Sequence, residues 1–302
     1  MDTDKIIQFT FLVSVIAILA VVAMMGFFTT QQTITGMAVA QVPATVEKAA
    51  KEVTVTIPAH AVAVAPGVFD LGIAVVNGEA IQGYMFIDFK PGFGHKPKHT
   101  PGGKGGGDKG PKCFALFAKG ARWKITEPYL LNPANADGMS GAFVASSIST
   151  ALETWDAEVA FDIFGPGTIT TDTLVADTVA PDGKNEVYLG AIEGTGSIAV
   201  AIVWGIFSGP PPGRKLVEWD VVFDDAEFRF GDAGPTSETS LGDTSIMDLL
   251  NIATHEAGHT AGLGHPDDSC TEETMYRFAG FGETKKRTLH AGDIAGITDL
   301  YK

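Results

Sequence analysis

Three of the seven histidines in this chain fall within residues 255–265, which read His255-Glu256-Ala257-Gly258-His259-Thr260-Ala261-Gly262-Leu263-Gly264-His265. His255 and His259 are four residues apart, so on a helix both imidazoles leave one face, a single turn apart. Glu256, between them, faces the same cleft, where its carboxylate can take a proton from a metal-activated water. Gly262 lets the backbone leave the helix sharply, because glycine alone reaches left-handed angles without steric cost. The turn that follows brings back His265 as a third nitrogen. Three protein nitrogens suit zinc and leave a fourth position for water or substrate, which is the pattern of a catalytic centre rather than a closed structural one. A bare H-E-x-x-H arises by chance fairly often; H-E-x-x-H-x-x-G-x-x-H fixes five positions and is much harder to reach by accident.

On these residues the chain resembles the metzincin metallopeptidases, and in particular their matrixin branch. Thr274-Met275-Tyr276 is similar to the family's Met-turn, whose methionine forms an apolar floor beneath the zinc. Residues 289–301 resemble the matrixin C-terminal helix, Phe223-Asp224-Asp225-Ala226-Glu227 the segment before the zinc helix, and Ala151-Leu152-Glu153-Thr154-Trp155 the first long helix. The resemblance covers residues 112–302 and implies an α+β zincin-like domain: a twisted mixed sheet, about three helices and a small lower part after Gly262. It also implies calcium at Asp224 and Glu227, whose carboxylate oxygens suit a hard cation. Four positions depart from the pattern. Pro266 and Arg277 stand where serine and proline are expected, Gly292 replaces an aspartate beside Asp293, and Val222 replaces a histidine of a second, structural zinc. No second zinc is therefore expected.

Other elements must hold this site in place. Val144, Ile148, Leu152, Trp155 and Val159 recur at three- and four-residue steps and predict a helix with one apolar face. Strands are expected at 186–192, 198–207 and 217–224. Thr244 or Ser245 would cap a zinc helix that carries Ile246, Leu249, Leu250 and Ala253 into the core. By resemblance, the stretch 198–202 is the free edge of the sheet, where an extended substrate would add a strand. Asp182-Gly183 with Asn185 reads as a plain turn.

Composition limits the remaining possibilities. With 36 acidic and 21 basic residues the net charge is −15, which repels phosphate backbones and argues against a nucleic-acid partner. Residues 6–28 form an apolar run long enough to cross a bilayer as a helix. The segment 1–40 is thus expected to be a membrane anchor, or a signal peptide cleaved after Ala40; either version places the remainder outside the cytoplasm. Cys113 and Cys270 fit an oxidising compartment as a disulfide. The rival is a switch in which the Cys113 thiolate blocks the open zinc position, although Phe114-Ala115-Leu116-Phe117 stands where that motif would continue.

Between the anchor and residue 112 the chain changes character twice. Residues 41–90 read as a stalk and a small β-hairpin, with strands at 68–76 and 81–89 around Asn77-Gly78, a strong turn signal. Forty residues bury little core alone, so this piece should pack on a neighbour. It could be a pro-segment, a spacer or a binding module. Residues 91–111, rich in Gly, Pro and Lys, read as a linker whose His95 and His99 are solvated. The resulting expectation is a zinc endopeptidase acting on peptide or protein substrates, with Glu256 as general base and His255, His259 and His265 on the metal. The alternative is a membrane-anchored binding or adhesion protein that keeps the zinc fold without turnover. With the last helix ending at Tyr301, substrate choice is expected to lie in the cleft or the N-terminal piece.

Overall fold

A computed structural model describes residues 54–93, 112–234 and 242–302. The apolar run at 6–28, the stalk, the Ala40 cleavage site and His95 and His99 lie outside the described residues. Among the described residues no helix is long and apolar enough to cross a membrane.

The strands in chain order are β1 (Val62–Ala65), β2 (Val68–Val76), β3 (Glu79–Phe89), β4 (Ala115–Leu116), β5 (Glu127–Asn132), β6 (Phe164–Ile169), β7 (Glu186–Gly190), β8 (Ser197–Ile206), β9 (Lys215–Asp224), β10 (Phe230–Gly231), β11 (Met247–Asp248) and β12 (Leu263–Gly264). The described helices are α1 (Gly141–Asp156), α2 (Leu249–Ala261) and α3 (Ala291–Tyr301). One eight-stranded mixed sheet runs β1-β2-β3-β8-β9-β7-β5-β6. Its pairings are antiparallel from β1 to β9 and parallel from β9 to β6. This is an α+β arrangement.

The sheet is buried on both faces at its centre, and the sequence of β8, SIAVAIVWGI, shows why a period-two polar pattern is missing there. Ile198, Ala201 and Val203 join a core shared with Val144, Ile148 and Trp155 of α1 and Leu249, Ile252 and Ala257 of α2. Val200, Ile202 and Trp204 face the opposite side and pack with Leu71, Met85, Ile87 and Tyr188. Each large apolar side chain so buried contributes about 1.5–3 kcal/mol. The hairpin strands appear where the Asn-Gly signal places them, with Asn77 at φ 51° and Gly78 at φ 82° in the turn.

Three expectations are corrected. The stretch 198–202 is no free edge: β3 covers it, pairing antiparallel from Gln82 opposite Gly205 to Phe89 opposite Ser197. The first helix ends at Asp156, short of Val159, because the Asp156 carboxylate turns to accept the backbone N–H groups of Ile163 and Phe164. The zinc-motif helix starts at Leu249, not at 244 or 245. Its cap is Asp248, whose carboxylate accepts the N–H of Asn251 and of Ala233 and binds Arg287. Residues 247–248 are first held as a strand against 230–231. A local signal for capping at Ser245 thus yields to a partner 39 residues away in sequence.

Cys113 and Cys270 form a disulfide across 157 residues, with Cα atoms 5.5 Å apart, and the switch reading of Cys113 falls with it. Gly292, where the family pattern has an aspartate, is explained by the same neighbourhood: a Cβ there would lie 2.0 Å from the Cys113 carbonyl oxygen. Replacing both cysteines by serine should lower the unfolding free energy by about 2–5 kcal/mol, because the bridge closes a long loop in the unfolded chain. Denaturant titration of the oxidised protein and the double variant checks this.

Candidate metal centre and cleft

The zinc-motif helix α2 is fastened at its back by three long-range hydrogen bonds. Trp155 Nε1 donates to the Thr254 carbonyl, Trp123 Nε1 to that of Thr260, and the Tyr301 hydroxyl to that of Ala261. The last two satisfy carbonyls that a helix C-terminus leaves without partners. Gly262 follows at φ 111°, its N–H returning to the His259 carbonyl, and the chain reverses. His265 thereby comes back over the helix.

The three imidazoles converge through Nε2. The separations are 3.2 Å for His255–His259, 3.3 Å for His255–His265 and 3.1 Å for His259–His265. Nitrogens bound about 2.0–2.1 Å from a tetrahedral zinc stand about 3.3–3.4 Å apart, so the spacing fits. Proton placement leads to the same conclusion. His255 Nδ1 faces the Thr274 carbonyl and His259 Nδ1 faces that of Leu263. A carbonyl oxygen can only accept, so both Nδ1 atoms carry the proton and both Nε2 atoms present bare lone pairs. Burial, reinforced by the neighbouring imidazoles, holds His259 well below its usual pKa, and burial likewise lowers His255. Neutral imidazoles are the form that binds metal.

A fourth group stands with them. Asp88, at the end of β3, is fully buried; its Oδ2 lies 2.7 Å from His255 Nε2 and its Oδ1 3.1 Å from His265 Nε2. Together the four residues could hold one metal ion. The motif gave no hint of Asp88, because 167 residues separate it in sequence from His255.

Glu256 is buried, and neither of its carboxylate oxygens has a hydrogen-bond partner. Burial, and then the Asp88 carboxylate, push its pKa well above the usual range, against the pull of the Lys286 ammonium. Lys286 itself is fully buried, 3.4 Å from His255 Nδ1, and donates to the Tyr276 carbonyl. Sequence reasoning missed it too; a lysine in a basic triplet carries no mark of burial.

Met275 packs directly under the helix. A Cβ on Gly258 would sit 2.2 Å from Met275 Sδ and 2.6 Å from the Trp155 ring. The turn bearing Met275 is tied to α3 by Asp293, whose carboxylate accepts the N–H groups of Thr274, Met275 and His290. Asp224 and Glu227 lie on the far connection. Asp224 accepts the Ala226 and Glu227 N–H groups, while the Glu227 carboxylate accepts that of Gly196. Asp182-Gly183 forms a turn, with Gly183 at φ 89°.

Apart from the histidines, a second group of carboxylates, Asp177, Glu218 and Asp220, converges closely enough to share an ion. Burial pushes Glu218 up to about 8, with the Asp177 carboxylate adding to it against the Gly183 N–H. A raised folded-state pKa means that the folded chain keeps a proton the unfolded chain releases. Stability from this group is therefore complete below the unfolded value near 4.5 and is lost as pH rises through about 8. In chelator, Glu218→Gln should flatten the fall in melting temperature between pH 5 and 9; an unchanged slope would exclude Glu218 as its source. At the metal centre, Gly258→Ala should cost about 1–3 kcal/mol by overpacking against Met275 and Trp155, and calorimetry reads this directly.

The family model of matrixin peptidases matches residues 203–302. Human matrilysin is 33% identical over 150 residues, which are 44% of this chain and 51% of the relative. Arabidopsis thaliana metalloendoproteinase 5-MMP is 32% identical over 130 residues, 43% of this chain and 31% of the relative. Metalloendoproteinase 2-MMP of the same plant is 27% identical over 194 residues, 63% of this chain and 45% of the relative. The chain thus spans about half or less of the length of the curated relatives it matches. Residues 203–302, which hold the converging histidines and the Met275 turn, are thus similar to the matrixin metallopeptidases.

Proposed function

We propose that the protein is a zinc-dependent endopeptidase that cleaves peptide bonds in proteins outside the cytoplasm. The observation that carries this reading is the meeting of three histidine Nε2 atoms beside a buried glutamate whose carboxylate oxygens have no hydrogen-bond partner. His255, His259 and His265 are the proposed zinc ligands and Glu256 the general base. A zinc ion held by these three histidines would supply Lewis acidity, polarising a peptide carbonyl and lowering the pKa of a water toward ~7. Glu256 takes one proton from the attacking water as its oxygen bonds to the carbonyl carbon. The same carboxyl then delivers that proton to the amine as the carbon–nitrogen bond breaks. Met275 supplies packing beneath the site and no chemistry.

Location outside the cytoplasm is supported by the Cys113–Cys270 disulfide and by the apolar run at residues 6–28, which we propose as an anchor or a cleaved signal. Calcium at Asp224 and Glu227 is proposed on the carboxylate pair alone. Its check is a rise in melting temperature with millimolar calcium that disappears in Asp224→Asn.

Glu256→Ala should reduce turnover of a casein-type substrate by at least about 10²–10⁴-fold while one zinc per chain stays bound. Metal analysis paired with the assay reads both quantities. Turnover that survives in the pure variant would remove the assignment; zinc without turnover in either protein would point to latency or to a binding role.

A further inference from the structure

We infer that β3 is an internal inhibitor of this protein: it lies along the cleft in the manner of a bound peptide, and Asp88 fills the fourth position of the metal centre. The inference rests on the zinc-peptidase reading of the three histidines.

The strand is held from both sides. On one side it pairs antiparallel with β8 over eight residue pairs, from Gln82 opposite Gly205 to Phe89 opposite Ser197. On the other, β2 pairs antiparallel with it from Glu79 to Phe86, and beyond β2 Phe89 forms a parallel bridge with Phe278, three residues past Met275. A peptide captured by strand addition takes its backbone bonds from such an edge and its specificity from alternate side chains. Alternation along β3 follows that logic. Met85, Ile87 and Phe89 enter the outer apolar layer, whereas Phe86 and Asp88 turn toward the histidines. Phe86 stacks on the His259 ring, with centroids 4.3 Å apart and planes 16° from parallel.

The Asp88 carboxylate is placed as a ligand, its Oδ1 3.1 Å from His265 Nε2 and its Oδ2 turned to His255. Its Oδ2 lies 2.7 Å from His255 Nε2 yet has no hydrogen-bond donor. The His255 ring carries its proton on Nδ1, against the Thr274 carbonyl, and its Nε2 so offers a lone pair to a lone pair. A fully buried carboxylate in such company is stable when both share a cation. Lys286 is the nearest buried ammonium, but its Nζ donates to the Tyr276 carbonyl. A thiol cannot take the fourth position, because Cys113 is committed to Cys270. With Asp88 seated, the centre has four protein ligands, which is the closed form of a zinc site. Catalysis then requires β3 to withdraw.

The test uses the full chain loaded with cobalt in place of zinc, so that the ligand set is read from the visible spectrum independently of turnover. Acetohydroxamate, a small bidentate ligand, is titrated into the wild type, Asp88→Asn and Asp88→Ala, and cleavage of a quenched peptide is measured on the zinc forms. If β3 is seated about 99% of the time, the wild type should bind the hydroxamate about 100-fold more weakly than Asp88→Ala. Peptidase activity of the zinc form should rise by a similar factor in that variant. A wild-type spectrum that responds at the same hydroxamate concentration as the variants would overturn the inference, and Asp88→Asn, which keeps the side-chain shape, supplies the comparison if Asp88→Ala does not fold. Should the variants bind hydroxamate tightly without cleaving peptide, Asp88 keeps its place at the metal and the endopeptidase reading fails instead.

Discussion

Three imidazole nitrogens and a carboxylate, with ligand atoms within 4.8 Å of one another in a dry interior, are a costly arrangement unless a cation lies among them. The fold spends much of its hydrogen bonding on holding that arrangement. The Thr274 and Leu263 carbonyls fix the protons of two rings, so that their Nε2 lone pairs point into the centre. Thr274 is in turn fixed by Asp293 and Met275 by the same carboxylate, which also caps α3. Tyr301, at the end of that helix, returns to the last turn of α2. A closed circuit of side chains thus runs from the metal centre through the lower part of the domain and back to the helix that supplies two ligands.

Packing imposes a second constraint on the same helix. Gly258 leaves room for Met275 and Trp155 at distances that no side chain would permit. The sulfur-bearing floor and the helix therefore approach as closely as backbone allows, which restricts rotation of α2 about its axis. Small errors in that rotation would move both His255 and His259 away from His265. Glycine here is a requirement of geometry, unlike the many glycines that only shape turns.

The N-terminal hairpin changes how the whole sheet is understood. Without β3, β8 would expose one edge and the cleft would be open to an extended peptide. With it, β8 is sandwiched between β3 and β9, and an apolar layer of Leu71, Met85, Ile87, Val200, Ile202 and Trp204 closes over the outer face. Backbone pairing, aromatic stacking of Phe86 on His259 and the Asp88 carboxylate act at one place, so their effects on access to the metal add. The same segment is well made as a strand and badly placed for catalysis.

Much of the chemistry was legible in the linear chain. Fixed spacing on a helix puts His255, Glu256 and His259 on one face, Gly262 alone permits the reversal, and Asn77-Gly78 forces a hairpin whatever surrounds it. These are local consequences of covalent geometry, so sequence suffices for them. Where α2 begins was decided instead by Arg287 and Ala233, which hold Asp248 and override the nearer capping signal at Ser245. The burial of Lys286 and the convergence of Asp177, Glu218 and Asp220 were likewise invisible, since partners distant in sequence create both. Asp88 is the clearest case. An aspartate in a strand reads as a solvent-facing residue, and only the register of β3 against β8 turns it inward, onto the three histidines. Register between distant strands is set by the packing of both faces of the sheet, and no window of sequence contains it.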